Sequence, residues 1–327
     1  MFGTHLGIDL GTASILVYMQ GKGIVLQEPS VVAIDRDSGK RIAVGEEARM
    51  MLGRTPGNIM AIRPLRDGVI ADYETTEFML KYLLKKAGIR NWPFLKNKVI
   101  VCIPSGVTEV EERAVKQAAY NAGAGKVKVV EEPFVAALGA GLDISGPEGN
   151  MVIDIGGGTT DIAVLSLGGI VVKKNLRVGG DKLDDAIIRF IRREYNLLIG
   201  ERTAEEIKID IACAIPEGRE DNKELEVKGR DLVTGLPKNL KLNSNNIFPA
   251  VEEIIDSIIA GVKDVLERTP PELAADIMKK GIIMAGGGSL LHSLDVRISR
   301  ETGLAVSIAE NPISCVVLGT GRLLKTL

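Results

Sequence analysis

One turn is written twice in this chain. Asp154-Ile155-Gly156-Gly157-Gly158-Thr159-Thr160-Asp161 has a near copy far upstream in Asp9-Leu10-Gly11-Thr12-Ala13-Ser14. Each copy follows an apolar run (Leu6 to Ile8; Met151 to Ile153) and precedes another (Ile15 to Val17; Ile162 to Leu165), so each predicts a β-hairpin whose turn holds glycines. Glycine lets backbone N–H groups come close to an anion. The Thr hydroxyls add donors, and a carboxylate at each strand end suits a hydrated divalent cation better than a bare phosphate. A single such turn is ordinary hairpin chemistry. Two copies, each with its own acid and hydroxyl, predict a two-lobed cleft whose facing hairpins clamp the phosphates of one nucleotide with Mg²⁺ between them.

The remaining composition excludes several other chemistries. At 327 residues, 45% hydrophobic, the chain is long enough for two domains with sizeable cores. Lys+Arg 41 against Asp+Glu 43, with no basic block, gives no footprint for nucleic acid. Cys102, Cys213 and Cys315 form no Cys-x-x-Cys pair, which points to reduced structural thiols in a cytosol. With only His5 and His292, neither a transition-metal cluster nor a Ser-His-Asp triad is indicated. Asp9 interrupts the first apolar run, so no signal peptide is expected, and no apolar stretch approaches the roughly 18 residues of a membrane span. Membrane contact is expected to be peripheral.

Along the chain, Gly23 to Val32 and Ala43-Val44 read as strands, and Asp72 to Ala87 as a helix burying Phe78, Met79, Tyr82 and Leu83. Val99 to Ile103 is a strand. Thr108 to Ala122 is a helix with a Thr108/Glu111 capping box and an apolar stripe at Val110, Ala114 and Ala118. Val127 to Val130 leads into Glu131-Glu132-Pro133, which fixes a glutamate where a strand ends and a helix begins. That acid either complements the helix N-terminus or carries chemistry at the strand's carboxyl end.

In the second half, Gly179-Gly180-Asp181 opens a helix through Tyr195 that buries Leu183, Ile187 and Ile191. Thr203 to Cys213 is a helix with a Thr203/Glu206 box, whose Glu205 and Lys208 read as a surface ion pair. Glu224 to Leu242 is a small sheet, and Pro249 to Leu266 the strongest amphipathic helix, its stripe read as core. Gly286-Gly287-Gly288-Ser289 is either a surface on which a base or ribose lies against bare backbone or a tight strand-to-helix turn. No Walker P-loop is present, since Gly125-Lys126 is followed by Val127.

The only Trp sits in Arg90-Asn91-Trp92-Pro93-Phe94-Leu95-Lys96-Asn97-Lys98. Pro93 rules out a regular helix or central strand there, so Trp92, Phe94 and Leu95 occupy a turn collared by basic side chains. Such a turn is either an interfacial membrane anchor or a loop folded back on its own domain.

The two hairpins, the Glu-Glu-Pro junction and the Gly-Gly-Gly-Ser turn, in this order, resemble the superfamily of actin, sugar kinases and Hsp70 chaperones. Gly21-Lys22-Gly23-Ile24-Val25, Glu28-Pro29-Ser30-Val31, Ala61-Ile62-Arg63-Pro64, Asp67-Gly68-Val69-Ile70-Ala71-Asp72, Leu198 to Glu205 and Thr269-Pro270-Pro271-Glu272-Leu273 narrow the resemblance to the MreB family of bacterial actin homologues, over essentially the whole chain. The resemblance implies an α/β, actin-like (ribonuclease H-like) duplicated ATPase fold with two lobes and four subdomains. Residues 1–143 plus 313–327 would form lobe I, with a small insertion at about 33–64. Residues 144–312 would form lobe II, with an insertion at about 181–247.

The same resemblance implies ATP and Mg²⁺ as cofactors. Asp9 and Asp154 would hold the hydrated metal. Thr12, Ala13, Ser14, Gly156, Gly157, Gly158 and Thr159 would surround the phosphates, and Glu132, helped by Thr159, would orient the attacking water. The stretch Glu205, Glu206, Ile207, Lys208 would reach the ribose and base opposite Gly286, Gly287, Gly288 and Ser289. Ser14 stands where the family usually has Asn, although a hydroxyl still donates. Some relatives begin with an amphipathic membrane helix, whereas here only Met1 to His5 precede the first strand, so attachment would rest on Trp92, Phe94 and Leu95.

The implied role is a slow ATPase coupled to polymer dynamics. It would form paired protofilaments in the cytoplasm, under the inner face of the cell membrane, and guide rod-shape synthesis with the cell-wall elongation machinery. A small-molecule kinase on the same fold is the rival. An Hsp70-type chaperone would need a substrate domain after the ATPase, and the sequence stops at Leu327.

Overall fold

The computed structural model describes residues 5–88, 97–215, 217, 219–221 and 223–325. β1 (Leu6–Leu10) and β2 (Ser14–Met19) form the first expected hairpin, and β3 (Gly23–Pro29) continues it antiparallel. The chain then leaves this sheet for β4 (Val32–Asp35), β5 (Arg41–Val44), α1 (Glu46–Met51) and β6 (Ile59–Ile62), a three-stranded insertion with its own small core of Val31, Ala33, Ala43 and Ala48. Asp67-Gly68 links the short strands β7 (Leu65–Arg66) and β8 (Val69–Ile70). After α2 (Tyr73–Lys86), β9 (Lys98–Ile103) pairs parallel with β1. α3 (Glu109–Asn121) then leads to β10 (Lys126–Glu131), parallel with β9. The spatial order is β10-β9-β1-β2-β3.

After α4 (Glu132–Gly139) the scheme repeats. β11 (Asn150–Ile155), β12 (Thr160–Ser166) and β13 (Gly169–Leu176) form an antiparallel meander. The chain again departs, through α5 (Gly180–Tyr195), β14 (Leu197–Leu198), α6 (Glu201–Asp210), β15 (Leu225–Asp231), β16 (Pro237–Leu242), α7 (Ser244–Glu267) and α8 (Pro271–Lys280). It returns as β17 (Ile282–Ala285), α9 (Leu294–Thr302), β18 (Val306–Ile308) and α10 (Cys315–Leu324). The order β13-β12-β11-β17-β18 matches the first sheet strand for strand. In both sheets the strand that ends in the acid-glycine turn is central, between its hairpin partner and a parallel strand from much later in the chain. The repetition visible in two turns therefore extends to whole sheets.

The helices that end each unit meet between the sheets. α4 packs on β11 and β12, α10 packs on β1 and β2, and the two cross against each other. Their contact is filled by small residues, among them Val135, Ala136, Ala137, Cys315 and Val316, all buried.

Some local expectations change. α2 is capped by Asp72 as its sequence predicts, but its core face is Thr76, Met79, Leu80, Leu83 and Leu84; Tyr82 is exposed beside Lys86. α3 has the predicted Thr108/Glu111 box, yet Val110 is 75% exposed and Val115, Ala118 and Ala119 face inward. Met79, Leu83 and Ala118 are buried as expected and Phe78 and Ala114 are half-buried, so only Tyr82 and Val110 depart from the expected faces, each lying at the edge of the i, i+3, i+4 stripe. α6 begins at Glu201 after Gly200, so Thr203 lies inside the helix and its capping box does not form; Glu206 instead pairs with Arg202. α7 begins at Ser244, where Asn243 and Asn246 form the box, and runs through Pro249. Of the expected stripe, Val251, Ile255, Ile258, Ile259, Val262 and Val265 are buried and Ile254 is half-buried against the same core. Trp92, Phe94 and Leu95 lie outside the described residues. Among the described residues, no helix is long and apolar enough to cross a membrane.

Candidate functional site

The two acid-glycine turns both line one cavity of about 780 Å³, a volume suited to a nucleotide-sized ligand. The first turn is braced from behind: Ser30 Oγ donates to the Gly11 carbonyl at 2.6 Å, and the Ser30 N–H donates to that of Ala13 at 3.0 Å. The second turn is braced by the start of α5, where the N–H groups of Gly180 and Asp181 donate to the carbonyls of Gly156 (3.0 Å) and Gly157 (2.8 Å). A glycine turn whose carbonyls are engaged from behind can offer its N–H groups to an anion.

The turns are also in contact. A β-carbon on Gly157 would fall 2.6 Å from Ala13 Cβ, and one on Gly158 would fall 2.4 Å from Thr12 Oγ1. Only bare backbone lets the halves come this close. The Asp67-Gly68 turn joins them: Gly68 N–H donates to Thr12 Oγ1 at 3.0 Å, and Asp67 lies against Gly158.

Three acids, Asp9, Glu132 and Asp154, line the floor, and a fourth, Asp161, is buried behind them. Asp9 and Asp154 end the central strands β1 and β11, Glu132 starts α4, and Asp161 faces Asp154 across the β11–β12 ladder. Asp154, Glu132 and Asp161 are buried, and Asp9 is partly open to the cavity. Burial lifts the Asp9 carboxyl to about 7. Burial first, then the neighbouring charges of Asp161, Asp9 and Asp154, holds Glu132 well above the ordinary range, and Asp154 is raised by burial and by Asp9 and Asp161. Asp161 rises only to about 6, because the Ser105 N–H (2.7 Å) and Asn175 Nδ2 (2.9 Å) donate to it. Among the described residues no lysine or arginine pairs with Asp9, Glu132 or Asp154. Clustered acids without a counter-ion fit a cation. No group of three or more His, Cys, Asp or Glu among the described residues is placed to hold a metal directly, whereas two carboxylates reaching a cation through its waters suits Mg²⁺.

The opposite wall comes from α6. Glu205 and Lys208, three residues apart, both line the cavity, as do Gly286, Gly287 and Gly288. Three candidates do not. At about 100° per residue the helix turns Ile207 into the core and Glu206 to the outer face, and the buried Ser289 hydroxyl donates to the Gly286 carbonyl at 2.7 Å. Glu205 and Lys208 do not pair with each other. Glu205 lies 3.6 Å from Arg49 across the cleft, and Lys208 pairs with Asp184 at 2.9 Å. Arg49, Arg63 and Asp184 have no local signature in the sequence, because their roles arise only when distant helices are brought together.

The MreB/Mbl protein family model matches residues 3–327. The cell shape-determining protein Mbl of Bacillus cereus (strain ATCC 10987 / NRS 248) is 54% identical, over 100% of this chain and 97% of its own length. The cell shape-determining protein MreB of Escherichia coli (strain K12) is 50% identical, over 100% and 95%. The crystal structure of MreB 5 of Spiroplasma citri bound to AMPPNP superposes with a TM-score of 0.94 at 40% identity, covering 100% of this chain and 97% of that one. The fold is thus actin-like, and the chain belongs to the MreB/Mbl family.

Proposed function

We propose that this chain binds and slowly hydrolyses ATP with Mg²⁺, and that it polymerises into membrane-associated cytoplasmic filaments that direct rod-shape cell-wall synthesis. The observation that carries the reading is the convergence of two braced glycine turns over Asp9, Asp154 and Glu132 in one cavity. Thr12, Ala13, Ser14 and Gly157 to Thr159 bind the phosphates through N–H and hydroxyl donors, and Gly156, whose N–H closes the turn on the Thr159 carbonyl at 2.8 Å, lets the phosphates approach its bare backbone. Asp9 and Asp154 hold the metal's water shell, and the metal when bound supplies charge compensation for the phosphates. Glu132 orients the attacking water and accepts a hydrogen bond from it, with Thr159 beside it. Glu205, Lys208 and Gly286 to Gly288 hold the nucleoside. In this reading lobe I is 1–143 with 313–327, lobe II is 144–312, and the nucleotide ties them together.

Attachment to the inner face of the membrane is assigned to Trp92, Phe94 and Leu95. Partial burial of three such side chains yields roughly 3 to 5 kcal/mol, or about millimolar affinity for one copy, so binding requires the avidity of a filament. Partners in this reading are further copies of the chain, the lipid surface and the cell-wall elongation machinery. The test is sedimentation of the full chain with liposomes and Mg²⁺·ATP, with phosphate release followed in parallel. Polymer and liposomes should pellet together, Asp154→Ala should lose Mg²⁺-dependent ATP binding, and Ser at 92, 94 and 95 should abolish lipid pelleting while sparing polymer. Fast ATP consumption that depends on an added sugar, without polymer, would favour a small-molecule kinase instead.

A further inference from the structure

Lys208 reaches the cavity with its ammonium already engaged. Nζ donates to Asp184 Oδ2 at 2.9 Å and to the Gly180 carbonyl at 3.3 Å, and the two side chains are 17% and 14% exposed. The pair is incomplete in one respect: Asp184 Oδ1 is buried with no hydrogen-bond partner. An ion pair this far withdrawn from water does little for stability compared with an apolar pair of the same shape, and one with an unsatisfied oxygen does less. Its presence beside the cavity needs another reason.

The connections supply one. Gly180, whose carbonyl receives Lys208, uses its N–H to brace Gly156 in the second glycine turn. Asp184 stands one helical turn further along the same helix. The nucleoside wall and the phosphate turn are therefore joined through the first turn of α5, with Asp184 and Gly180 as the two fixed points that hold the ammonium. An ammonium has three N–H donors, and two are taken up by protein. Held this way, the long lysine stem no longer has to be ordered when a ligand arrives.

We propose that Asp184 is a positioning residue for the nucleotide, acting through Lys208: it holds the ammonium against the α5 terminus so that the remaining N–H donates to the nucleoside half of the ligand. The inference rests on the reading of the cavity as a nucleotide site. It differs from that reading in predicting which part of the ligand senses Asp184. Burial pushes the Asp184 carboxyl up to about 6, against the lowering influence of Lys208, in keeping with a carboxylate held for its geometry.

The test measures Mg²⁺-dependent binding of ATP and of tripolyphosphate, which lacks the nucleoside, to the full chain carrying Asp184→Asn, Lys208→Met or both. Asp184→Ser is carried in parallel, and unfolding midpoints are recorded, so that a folding defect in one substitution is not mistaken for loss of the contact. Asp184→Asn should weaken ATP about tenfold, leave tripolyphosphate unchanged, and add nothing in the Lys208→Met background. Unchanged ATP affinity, an equal fall for tripolyphosphate, or losses that add in the double variant would overturn the assignment. A wild-type chain that binds no ATP would overturn the nucleotide reading itself.

Discussion

Gly139 of α4 lies so close to Cys315 of α10 that a β-carbon on the glycine would fall 1.7 Å from the Cys315 carbonyl oxygen. The contact is reciprocal: a β-carbon on Gly319 would fall 1.8 Å from the carbonyl oxygen of Val135. Each helix thus presents a carbonyl and, four residues later, the glycine that admits the other helix's carbonyl. This two-fold crossing is the centre of the duplicated architecture.

Gly139→Ala should therefore destabilise despite the gain of about 1 kcal/mol in helix propensity. The added methyl meets backbone, which cannot rotate away, so the helices must separate. A loss of at least ~2 kcal/mol is expected. Gly57→Ala, at a site with open space around it, should change stability by no more than about 0.5 kcal/mol. Denaturant midpoints of the two variants decide the matter, and similar values would mean that the crossing yields easily.

How much of this was legible beforehand depends on the range of the interaction. The acid-glycine turns, the cap at Thr108 and the stripe of α7 are written in consecutive residues and form as read, although α7 starts five residues before Pro249, at Ser244. On α2 and α3 the expected Met79, Leu83 and Ala118 are buried, whereas Tyr82 and Val110 are apolar yet exposed, because apolar character alone does not fix a helix's rotation about its axis. The floor acids Asp9, Asp154 and Glu132 were legible as motif members. Arg49, Arg63 and Asp184 were not, since their partners are supplied by distant parts of the chain.

The floor acids should make the nucleotide-free protein less stable as pH rises. Burial lifts Asp9 from 3.8 to about 7 and Asp161 to about 6, with Glu132 and Asp154 also raised. The folded protein thus holds protons that the unfolded chain releases near 3.8 for the aspartates and 4.5 for Glu132. That stability is complete below these values and is lost as pH climbs through about 7. Asp221, held at about 2 chiefly by Arg219, and Asp231, held low by the Thr234 N–H and Lys238, act in the opposite sense. Their contribution is present above 3.8 and is lost only on the acid side. Scanning calorimetry in chelator should accordingly show the melting midpoint falling between about pH 5 and about pH 7. Saturating Mg²⁺·ATP should abolish or invert that slope, because the ligand favours the charged carboxylates. A midpoint that rises over this interval without nucleotide would contradict the account of the floor.

Glu132→Gln should separate stability from turnover. The amide removes a buried acid whose charged form is opposed by burial and by three neighbouring carboxylates, so at about pH 8 the variant should unfold at a higher denaturant concentration than wild type. It cannot accept the water's hydrogen bond as a carboxylate does, so phosphate release should fall by roughly 10² or more. ATP affinity should change little. Unaltered phosphate release would remove Glu132 from the chemistry and leave it as a structural acid.

The mouth of the cleft is spanned by Arg49–Glu205 at 3.6 Å and Arg63–Glu201 at 3.7 Å, which tie the first insertion to α6. Both glutamates lie on one face of that helix, four residues apart, so the two bridges open together. The pairs are partly exposed, between 25% and 62% by side chain, and each contributes no more than about 1 kcal/mol. Two acting in concert give roughly a three- to tenfold effect on escape of a ligand beneath them. Arg49→Ala with Arg63→Ala should therefore speed nucleotide release by that factor in stopped-flow displacement at low ionic strength. The difference should shrink toward nothing at about 0.5 M salt, where exposed charges are screened over a few ångströms. Equal release rates at low salt would mean that the bridges do not restrain the mouth, and an acceleration that survives high salt would mean that the arginines act through packing rather than charge.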